Sequence, residues 1–395
     1  MGKTFFFISS SDLSKPGAAQ FRLLAIARGL CEHGAQVNWI LIASRAPDSI
    51  ANDEKYRSIN FVSVGELGHL ANKGKIVAFL YRMYLLFTLG QVTSKLTLGT
   101  GAKALFSVGD SIVNLMLISR VCRQHKILLF HERTEYPYLN SKTIAQRLNL
   151  YLYLKVFIPQ CDHIFVISGG LKIFFGKQAK GRQIPISMLN MMVEPDRYLH
   201  ERVVPSAKTT RDIVYVGTPY GEKDGVYNLI KAFAIVMDKY YDTRLVIVGD
   251  TSRPKLLTKV YDVLEMLSDK SRVVFTGSLA RPEVIERLNS AYCLALARPA
   301  NVQAEYGFPT KLGEYLSTGR PVVITGVGDI PMYLEDGYNA FVAIPGQATA
   351  FAAKLAECLA DKERATEIGE RGRELVYHQF NYKSVTKVVF DALKD

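Results

Sequence analysis

Two carboxylates, a lysine and three glycines stand close together in the stretch EYGFPTKLGEYLSTGRPVV, residues 305–323. Pro309 and Thr310 precede a helical run from Lys311 to Thr318, and Gly319 follows as a stop signal. Threonine is a common residue at the position before a helix, so Thr310 is the predicted N-cap. The spacing therefore places Lys311 and Glu314 within the first turns of a short helix, whereas Glu305 precedes it.

The first turn of this helix could bind an anion. The amides of Lys311, Leu312 and Gly313 have no partner within a helix, and the helix dipole favours negative charge beside them. Gly313 lacks a side chain, so that a phosphate oxygen could approach the backbone, and Lys311 adds positive charge. Glu314 is placed to accept hydrogen bonds from a diol such as a ribose. This pattern predicts a sugar diphosphate as ligand, although many unrelated helices also begin Pro-Thr-Lys.

A second stretch, IVYVGTPYGEKDG at 213–225, is read as a strand, a glycine, a loop and then a helix. Gly217 allows a tight turn at the carboxyl end of the strand, where ligands of parallel sheets collect. Lys223 could reach the same ligand as a second cation; a solvated loop lysine is the alternative interpretation.

A third stretch, VVFTGSLARPEVIERL at 273–288, again ends a strand in a glycine, Gly277. The backbone groups of Ser278 and Leu279 follow this glycine and are candidates to contact the edge of a base.

The first half of the chain supplies two further candidates. Gly17, in a Pro-Gly-Ala-Ala turn after the first strand, could approach a phosphate or an acceptor. His131 ends a predicted strand in LLFHERTEYPYL and is expected to point into a cleft, although a lone histidine is often a structural hydrogen-bonding residue. The chain has no G-x-G-x-x-G fingerprint, which argues against a dinucleotide enzyme.

Metal-binding patterns are absent from the sequence. No Asp-x-Asp triplet and no cluster of histidines and cysteines occurs. A diphosphate bound without metal needs lysines and helix amides instead. We therefore expect no divalent ion in the site and no cofactor.

Short apolar segments rich in valine, isoleucine and phenylalanine alternate with helical patterns along the chain. Continuous apolar strands are typical of parallel sheets that are covered on both faces. The predicted strands are 5–8, 37–42, 61–64, 104–108, 127–130, 164–168, 213–217, 245–249, 273–277, 293–297, 321–325 and 340–344. The sequence thus predicts an α/β fold with two Rossmann-like, doubly wound domains that face each other across a cleft.

The predicted domains are residues 1–205, residues 206–376 and a C-terminal helical segment, 377–395, that returns to the first domain. At 395 residues the chain is long enough for two cores. Five scattered cysteines without a Cys-x-x-Cys pair fit a reducing, cytoplasmic compartment. The N-terminal segment is read as a buried strand and not as a signal peptide.

Positive charge is concentrated in the first half of the chain. Residues 1–200 hold 24 Lys and Arg against 12 Asp and Glu, whereas residues 201–395 hold 25 of each kind. The first half is therefore expected to face something anionic, although a basic surface without a partner is also compatible. The aromatic, apolar segment 74–92 is read as a buried helix or as an interfacial helix at a membrane surface, and 148–158 and 171–182 favour a membrane in the same way.

Taken together, these motifs resemble the GT-B glycosyltransferases of the group typified by bacterial glycogen synthases and phosphatidylinositol mannosyltransferases, glycosyltransferase family four. The motifs that carry the resemblance are YVG, Lys223-Asp224-Gly225, LVIVGD, VVFTG, GFPTKLGEYLSTGRPVV and LEDGYNAFVAIP. The resemblance covers nearly the whole chain and is strongest from 212 to 380.

The resemblance implies a retaining transfer of a sugar from a nucleotide diphosphate, with UDP or GDP as the carrier. The donor would bind the second domain and the acceptor, a glycan or lipid-linked molecule, the first. Of the family's Glu-x7-Glu pair, Glu314 matches the second acid. The residue eight positions earlier is Tyr306, so either Glu305, through a local shift, or backbone near Gly307 would contact the donor sugar.

The resemblance also assigns roles to other residues. His131 matches the family's histidine near the donor sugar, and Lys223 and Lys311 would neutralise the leaving diphosphate. Thr218 stands where the family usually has an arginine. The remaining residues of the implied donor site are Phe308 and Pro309.

The predicted function is a metal-independent glycosyltransferase, peripheral on the inner face of the cell membrane, that builds a surface polysaccharide or glycolipid. Two alternatives stay open: a nucleotide-sugar epimerase of the same fold, and a basic protein without enzymatic activity that binds lipid or nucleic acid. The phosphate-binding pattern of the second half favours the transferase, with no nucleic acid as partner.

Overall fold

A computed structural model describes residues 2–9, 13, 18–42, 45–64, 101–109, 111–140, 143–178, 183–197, 210–220, 223–253 and 257–394. The chain divides into two compact units. The N-terminal unit contains Met1–Asn190 and Tyr382–Asp395, and the C-terminal unit contains Met191–Asn381. The division therefore precedes the predicted boundary at 205/206, and the returning C-terminal segment begins later than the predicted residue 377.

The N-terminal unit is built on a parallel sheet with the strand order β3-β2-β1-β4-β5-β6-β7. Its strands are β1 (Lys3–Ser9), β2 (Gln36–Ile42), β3 (Ile59–Val64), β4 (Ala102–Val108), β5 (Leu128–Arg133), β6 (His163–Val166) and β7 (Ile186–Met188). Phe5, Phe6 and Phe7 follow one another in β1 and are all buried. Because successive side chains of a strand point to opposite faces, both faces of the sheet are covered there.

Helices pack around this sheet, and the last helix of the chain is one of them. Those described in the N-terminal unit are α1 (Ala18–Glu32), α2 (Asp48–Ala51), α3 (Ile112–His125), α4 (Ile144–Leu152), α5 (Gly169–Gln178) and, at the end of the chain, α13 (Tyr382–Ala392). Helix α13 packs against α1, where Gly29 leaves room for the Thr386 side chain. The Tyr382 hydroxyl donates to Glu32. The C-terminal segment thus completes the N-terminal unit.

The C-terminal unit has a second parallel sheet, with the order β10-β9-β8-β11-β12-β13. Its strands are β8 (Arg211–Val216), β9 (Thr243–Val248), β10 (Val273–Gly277), β11 (Cys293–Leu296), β12 (Val322–Thr325) and β13 (Phe341–Ala343). Its helices are α6 (Val226–Val236), α7 (Thr258–Leu264), α8 (Arg281–Ser290), α9 (Val302–Tyr306), α10 (Lys311–Ser317), α11 (Ala348–Ala360) and α12 (Lys362–His378).

The predicted fold is confirmed: two parallel sheets with helices are present, and every predicted strand falls on an observed strand. Strand β7 was not predicted. The apolar segment 74–92 lies outside the described residues, so both interpretations of it stay predictions. None of the helices in the described part of the chain is long and apolar enough to span a membrane.

Candidate functional site

The carboxyl ends of β8 and β11 form the most favourable ligand position in the C-terminal sheet. These two strands are neighbours, and the sheet extends from β8 through β9 to β10 on one side and from β11 through β12 to β13 on the other. The connections after β8 and β11 therefore leave in opposite directions and open a crevice, and ligands of doubly wound sheets bind at such a switch point.

Gly217 follows β8 at this switch point. Its φ of +149° is strained for residues with a side chain, and its amide donates to the Val248 carbonyl at 2.8 Å. A Cβ atom at this position would collide with the Lys311 ammonium and the Tyr215 hydroxyl. Glycine is thus required here by the close approach of the lysine. Thr218, the next residue, is exposed, and its carbonyl accepts a hydrogen bond from Tyr215.

Lys311 is held by an acid instead of extending freely from the helix. Its Nζ donates to Asp224 Oδ2 at 2.5 Å and to the Tyr215 hydroxyl at 3.3 Å. The Tyr215 hydroxyl lies 3.1 Å from both Asp224 Oδ2 and the Thr218 carbonyl, so these two acceptors share its one proton. Lys311 was predicted as a phosphate-binding cation, and the structure places it in this triad with Asp224, a residue to which the sequence reasoning gave no role.

Positive charge exceeds negative charge around Asp224. Burial opposes ionisation of Asp224, but the charge and hydrogen bond of Lys311 and the charges of Arg298 and Lys223 outweigh it and lower its pKa. Burial is the largest cause that lowers the pKa of Lys311; Lys223 adds to this shift, whereas Asp224 and Glu314 oppose it. Asp224 is thus kept ionised by the cations near it, whereas the lowered pKa of Lys311 comes mainly from burial.

Lys223 is the exposed member of this cluster. Its charge lowers the pKa values of both Asp224 and Lys311, so its ammonium lies within electrostatic range of both. The structure therefore brings Lys223, Gly217 and Lys311 together at the end of β8, and their binding of a diphosphate stays a prediction.

Glu314 is paired with an arginine that the sequence reasoning missed. Arg281 Nη2 lies 2.9 Å from Glu314 Oε1, and Arg281 Nη1 lies 3.4 Å from Oε2. Arg281 begins α8, three residues after Ser278, so this ion pair ties the loop after β10 to helix α10. A ribose diol that bound Glu314 would share the carboxylate with Arg281.

The loop after β10 begins with a glycine in the left-handed backbone conformation. Gly277 has a φ of +72°, and its carbonyl accepts a hydrogen bond from the Gly249 amide at 3.0 Å. Ser278 is exposed and Leu279 is half-buried. Their predicted contact with a base stays a prediction.

The helix start at Lys311 differs from the prediction in three ways. Thr310 has helical backbone angles and makes no cap hydrogen bond through its side chain, because the chain already turns at Pro309. The Leu312 amide donates to the Pro309 carbonyl at 3.0 Å and is therefore occupied. A Cβ at Gly313 would collide with the Met191 sulfur, so that this glycine accommodates a packed side chain instead of leaving room for a phosphate.

Glu305 and the loop that follows it lie beside this helix. Glu305 is exposed in α9, and Gly307 ends that helix. Phe308 and Pro309 are buried, and the Phe308 ring packs edge-on against Tyr333 with centroids 5.6 Å apart. The Phe308 side chain is thus part of the core, whereas the carboxylate of Glu305 remains accessible.

Arg298 is a functional candidate that the sequence reasoning missed. It follows β11, its side chain is 1% exposed, and Thr325 Oγ1 donates to its carbonyl at 2.8 Å. Burial lowers its pKa, and the charges of Asp224 and Glu305 oppose that shift. Its position inside the apolar run LALARPA gave a signal, since arginine is rarely buried without a partner.

The structure corrects the prediction for His131. The side chain is fully buried, and its ring packs against Phe157 with centroids 5.0 Å apart. Nδ1 lies 3.0 Å from Ser107 Oγ, and Nε2 lies 2.9 Å from the Tyr153 hydroxyl. The physical reason is that β5 is an interior strand, covered on both faces. His131 is thus a core residue, not a group exposed to substrate.

Gly17 lies outside the described residues, and its role stays a prediction. Among the described residues no group of three or more histidines, cysteines or acids is placed to hold a metal ion.

The fold is that of the GT-B glycosyltransferases, and solved structures share it over the whole chain. A crystal structure of Anabaena HepE in complex with UDP and glucose matches with a TM-score of 0.71 and 14% identity over 98% of both chains. A crystal structure of TarM matches with a TM-score of 0.73 and 10% identity over 100% of this chain and 99% of that one. At these identities the likeness concerns the fold alone.

A family model matches part of the C-terminal unit, and a curated relative matches less than half of the chain. Residues 210–361 match the family described as Glycosyl transferases group 1. An N-acetyl-alpha-D-glucosaminyl L-malate synthase of Bacillus anthracis is 28% identical over 174 residues, which is 43% of this chain and 43% of that protein. The chain thus matches less than half the length of this curated relative. The family match and the relative support a glycosyltransferase of the GT-B fold.

Proposed function

We propose that this protein is a retaining glycosyltransferase of family four that moves a sugar from a nucleoside diphosphate to a glycan or lipid-linked acceptor. The observation that carries the proposal is the group of cations around Asp224 at the switch point of the C-terminal sheet, within the stretch that matches the family model. An excess of positive charge at this position suits a diphosphate. UDP and UDP-glucose are bound in HepE structures of the same fold, which supports a UDP-linked donor, with GDP as the alternative.

In the proposed reaction the bond between the sugar C1 and the phosphate oxygen breaks, and its electron pair stays on the diphosphate. The acceptor oxygen forms the new bond to C1 on the same face, and its proton leaves to the diphosphate. Lys223 and Lys311 lower the barrier by stabilising the negative charge that develops on the leaving group. Glu314 holds the ribose, and Glu305 contacts the donor sugar. We propose that these groups act without a divalent ion.

Binding of the donor is tested by thermal-shift screening against UDP- and GDP-linked sugars, because a ligand of the folded state raises the melting temperature. Lys223→Ala should weaken binding of the sugar nucleotide that is selected. Lys239→Ala is the matched control, since this exposed lysine follows the opposite end of α6. Equal losses in both variants, or none in either, would contradict the proposal.

The reaction itself is tested with the selected donor and a panel of glycan and lipid-linked acceptors. We expect a product whose anomeric configuration, measured by NMR, is that of the donor, and transfer that persists in EDTA. An inverted product would refute the retaining mechanism. Release of a free or epimerised sugar without acceptor would instead indicate the epimerase.

We further propose a cytoplasmic protein that contacts the inner face of the membrane through its basic N-terminal unit. Helix α4 supports this proposal with an apolar stripe in which Ile144, Leu148 and Tyr151 are 86%, 57% and 61% exposed. Arg147 and Lys155 contribute to the cavity of about 310 Å³ beside it. Exposed apolar groups next to cations suit an anionic lipid surface.

Co-sedimentation with vesicles that contain anionic phospholipid tests this contact. Leu148→Glu should reduce the bound fraction several-fold, because a carboxylate replaces an inserted apolar side chain. Ile235→Glu is the control, since Ile235 is 54% exposed on the C-terminal unit. Binding that survives in Leu148→Glu would refute the contact through α4.

A further inference from the structure

Arg298 carries a positive charge inside the C-terminal unit. It is 1% exposed, which is rare for arginine. Among the described residues, no group accepts a hydrogen bond from its Nε or its Nη1. Buried donors without acceptors destabilise a protein, and charged donors do so most. Such a residue is expected where an anionic ligand supplies the missing acceptors.

The surroundings of Arg298 identify where that anion would bind. The backbone of Gly225 passes so close to β11 that a Cβ there would collide with the Ala297 carbonyl and lie 3.3 Å from the Arg298 amide. A Cβ on Gly307 would lie 3.7 Å from Arg298 Nη2. The guanidinium therefore lies beside the loop that follows Glu305, the backbone of Arg298 lies beside Gly225, and the Arg298 charge acts on Asp224.

The charges of Asp224 and Glu305 act on Arg298, but neither acid accepts a hydrogen bond from its Nε or Nη1. Asp224 and Glu305 both raise the pKa of Arg298 through their charges, whereas burial lowers it more. Asp224 Oδ2 is already bonded to Lys311 and Tyr215. Among the described residues, nothing accepts a hydrogen bond from Arg298 Nε or Nη1, so none is lost there if the side chain turns toward the loop after β8. The residue is thus able to accommodate a ligand at low cost.

We propose that Arg298, at the end of β11, binds the diphosphate of the donor. The residue directly after the strand glycine Gly217 is the uncharged Thr218, and Lys311 is bound to Asp224. Two N–H groups of Arg298 donate to phosphate oxygens, in a geometry that suits a planar guanidinium. The role rests on the proposed function, because it presupposes a nucleoside diphosphate donor.

The test compares UDP with uridine, or GDP with guanosine if the screen selects guanosine. Isothermal titration measures the diphosphate and saturation-transfer NMR measures the nucleoside. In Arg298→Met the affinity for UDP should fall at least about tenfold, since charge-assisted hydrogen bonds are lost, while uridine binding is unchanged. The melting temperature of the ligand-free variant should be equal to or above that of the wild type, because an uncompensated buried charge is removed. Arg298→Lys should recover part of the UDP affinity.

Arg272→Met is the contrasting control in the same unit. Arg272 donates to the carbonyls of Thr243, Met237 and Tyr240. This variant should lower the melting temperature without a selective loss of UDP over uridine.

The outcomes separate the two proposals. If the wild type binds neither UDP nor GDP, the proposed function fails, and the role of Arg298 fails with it. If the wild type binds and Arg298→Met binds UDP within twofold, the role of Arg298 alone is refuted. A destabilised Arg298→Met that loses UDP and uridine equally would also refute it, since it would indicate a purely structural arginine.

Discussion

Replacing His131 by glutamine should reduce the acid sensitivity of the N-terminal unit. Burial, and then the charge of Arg133, lower the pKa of His131 from 6.5 to about 3. The Ser107 hydroxyl donates to the Phe130 carbonyl, so it accepts from His131 Nδ1–H, and Nε2 is left to accept from Tyr153. This network satisfies the neutral ring, and a second proton at Nε2 would displace the hydrogen bond that Tyr153 donates to it.

The sign and size of the effect follow from proton linkage. The unfolded chain takes up a proton near pH 6.5, whereas the folded protein does so only near pH 3. Stability from this residue is therefore fully present above pH 6.5 and is lost as the pH falls toward 3. The free energy of unfolding falls by about 1.4 kcal/mol per pH unit in this window. Between pH 7.5 and pH 4.5 the loss is about 2–3 kcal/mol.

Tryptophan fluorescence provides the assay, because Trp39 is the sole tryptophan of the chain and is buried in the N-terminal unit. Urea unfolding at pH 7.5, 6.5, 5.5 and 4.5 gives the pH slope for each variant. In His131→Gln the decrease between pH 7.5 and 4.5 should be smaller than in the wild type by about 2–3 kcal/mol. His378→Gln, in the C-terminal unit, controls for the removal of a histidine.

Contributions from other groups cancel in this comparison. Burial lowers the pKa of His163 to about 4, and this half-buried histidine is present in both proteins, as are all carboxylates. Equal pH slopes for wild type and His131→Gln would refute the burial argument. If the variant instead keeps the wild-type urea midpoint at pH 7.5 but loses sugar transfer, His131 serves the reaction directly.

Three further predictions concern the cluster at the end of β8 and its neighbours. Lys311→Met should destabilise the protein by about 2–3 kcal/mol, because Asp224 is left buried without its nearest cation, and adding Asp224→Asn should restore most of the loss in a urea-unfolding cycle. Gly217→Ala should lower the melting temperature, since its φ of +149° and the adjacent Lys311 ammonium both oppose a Cβ; an unchanged melting temperature would refute this packing. Glu314→Gln should weaken UDP binding about tenfold but leave pyrophosphate binding unchanged in isothermal titration, if the carboxylate binds the ribose as proposed; equal losses for both probes would contradict that role.

The fold was predictable because burial on both faces leaves a simple signal in the sequence. In IVYVG and LVIVG nearly every residue is apolar, and the strands β8 and β9 lie inside the sheet, so periodicity was not needed to find them. Strand β7, Ile186–Met188, was missed because it is three residues long and half-buried at the edge of the sheet. A short edge strand of this kind has no comparable signal.

Site residues were predictable only where one local pattern specified them. Gly217 and Lys223 lie near the cluster because a strand end and the loop after it are close in sequence. The partners of Lys311 and Glu314 come from other strand ends, 87 and 33 residues away, and no local rule pairs them. His131 was misassigned for a related reason, since the aromatic residues that enclose it, Tyr153 and Phe157, follow only after the intervening helix α4.

Charge illustrates the same limit of sequence reasoning. Residues 201–395 have no net charge, so their composition did not indicate an anion site. The net positive charge of residues 1–200 instead placed the anionic partner at the first half of the chain. Folding nevertheless brings Lys223, Lys311 and Arg298 within electrostatic range of Asp224. A diphosphate carries the opposite charge and would be attracted by these three cations. Binding energy of this kind comes from local placement of charge, which the net charge of a domain does not reveal.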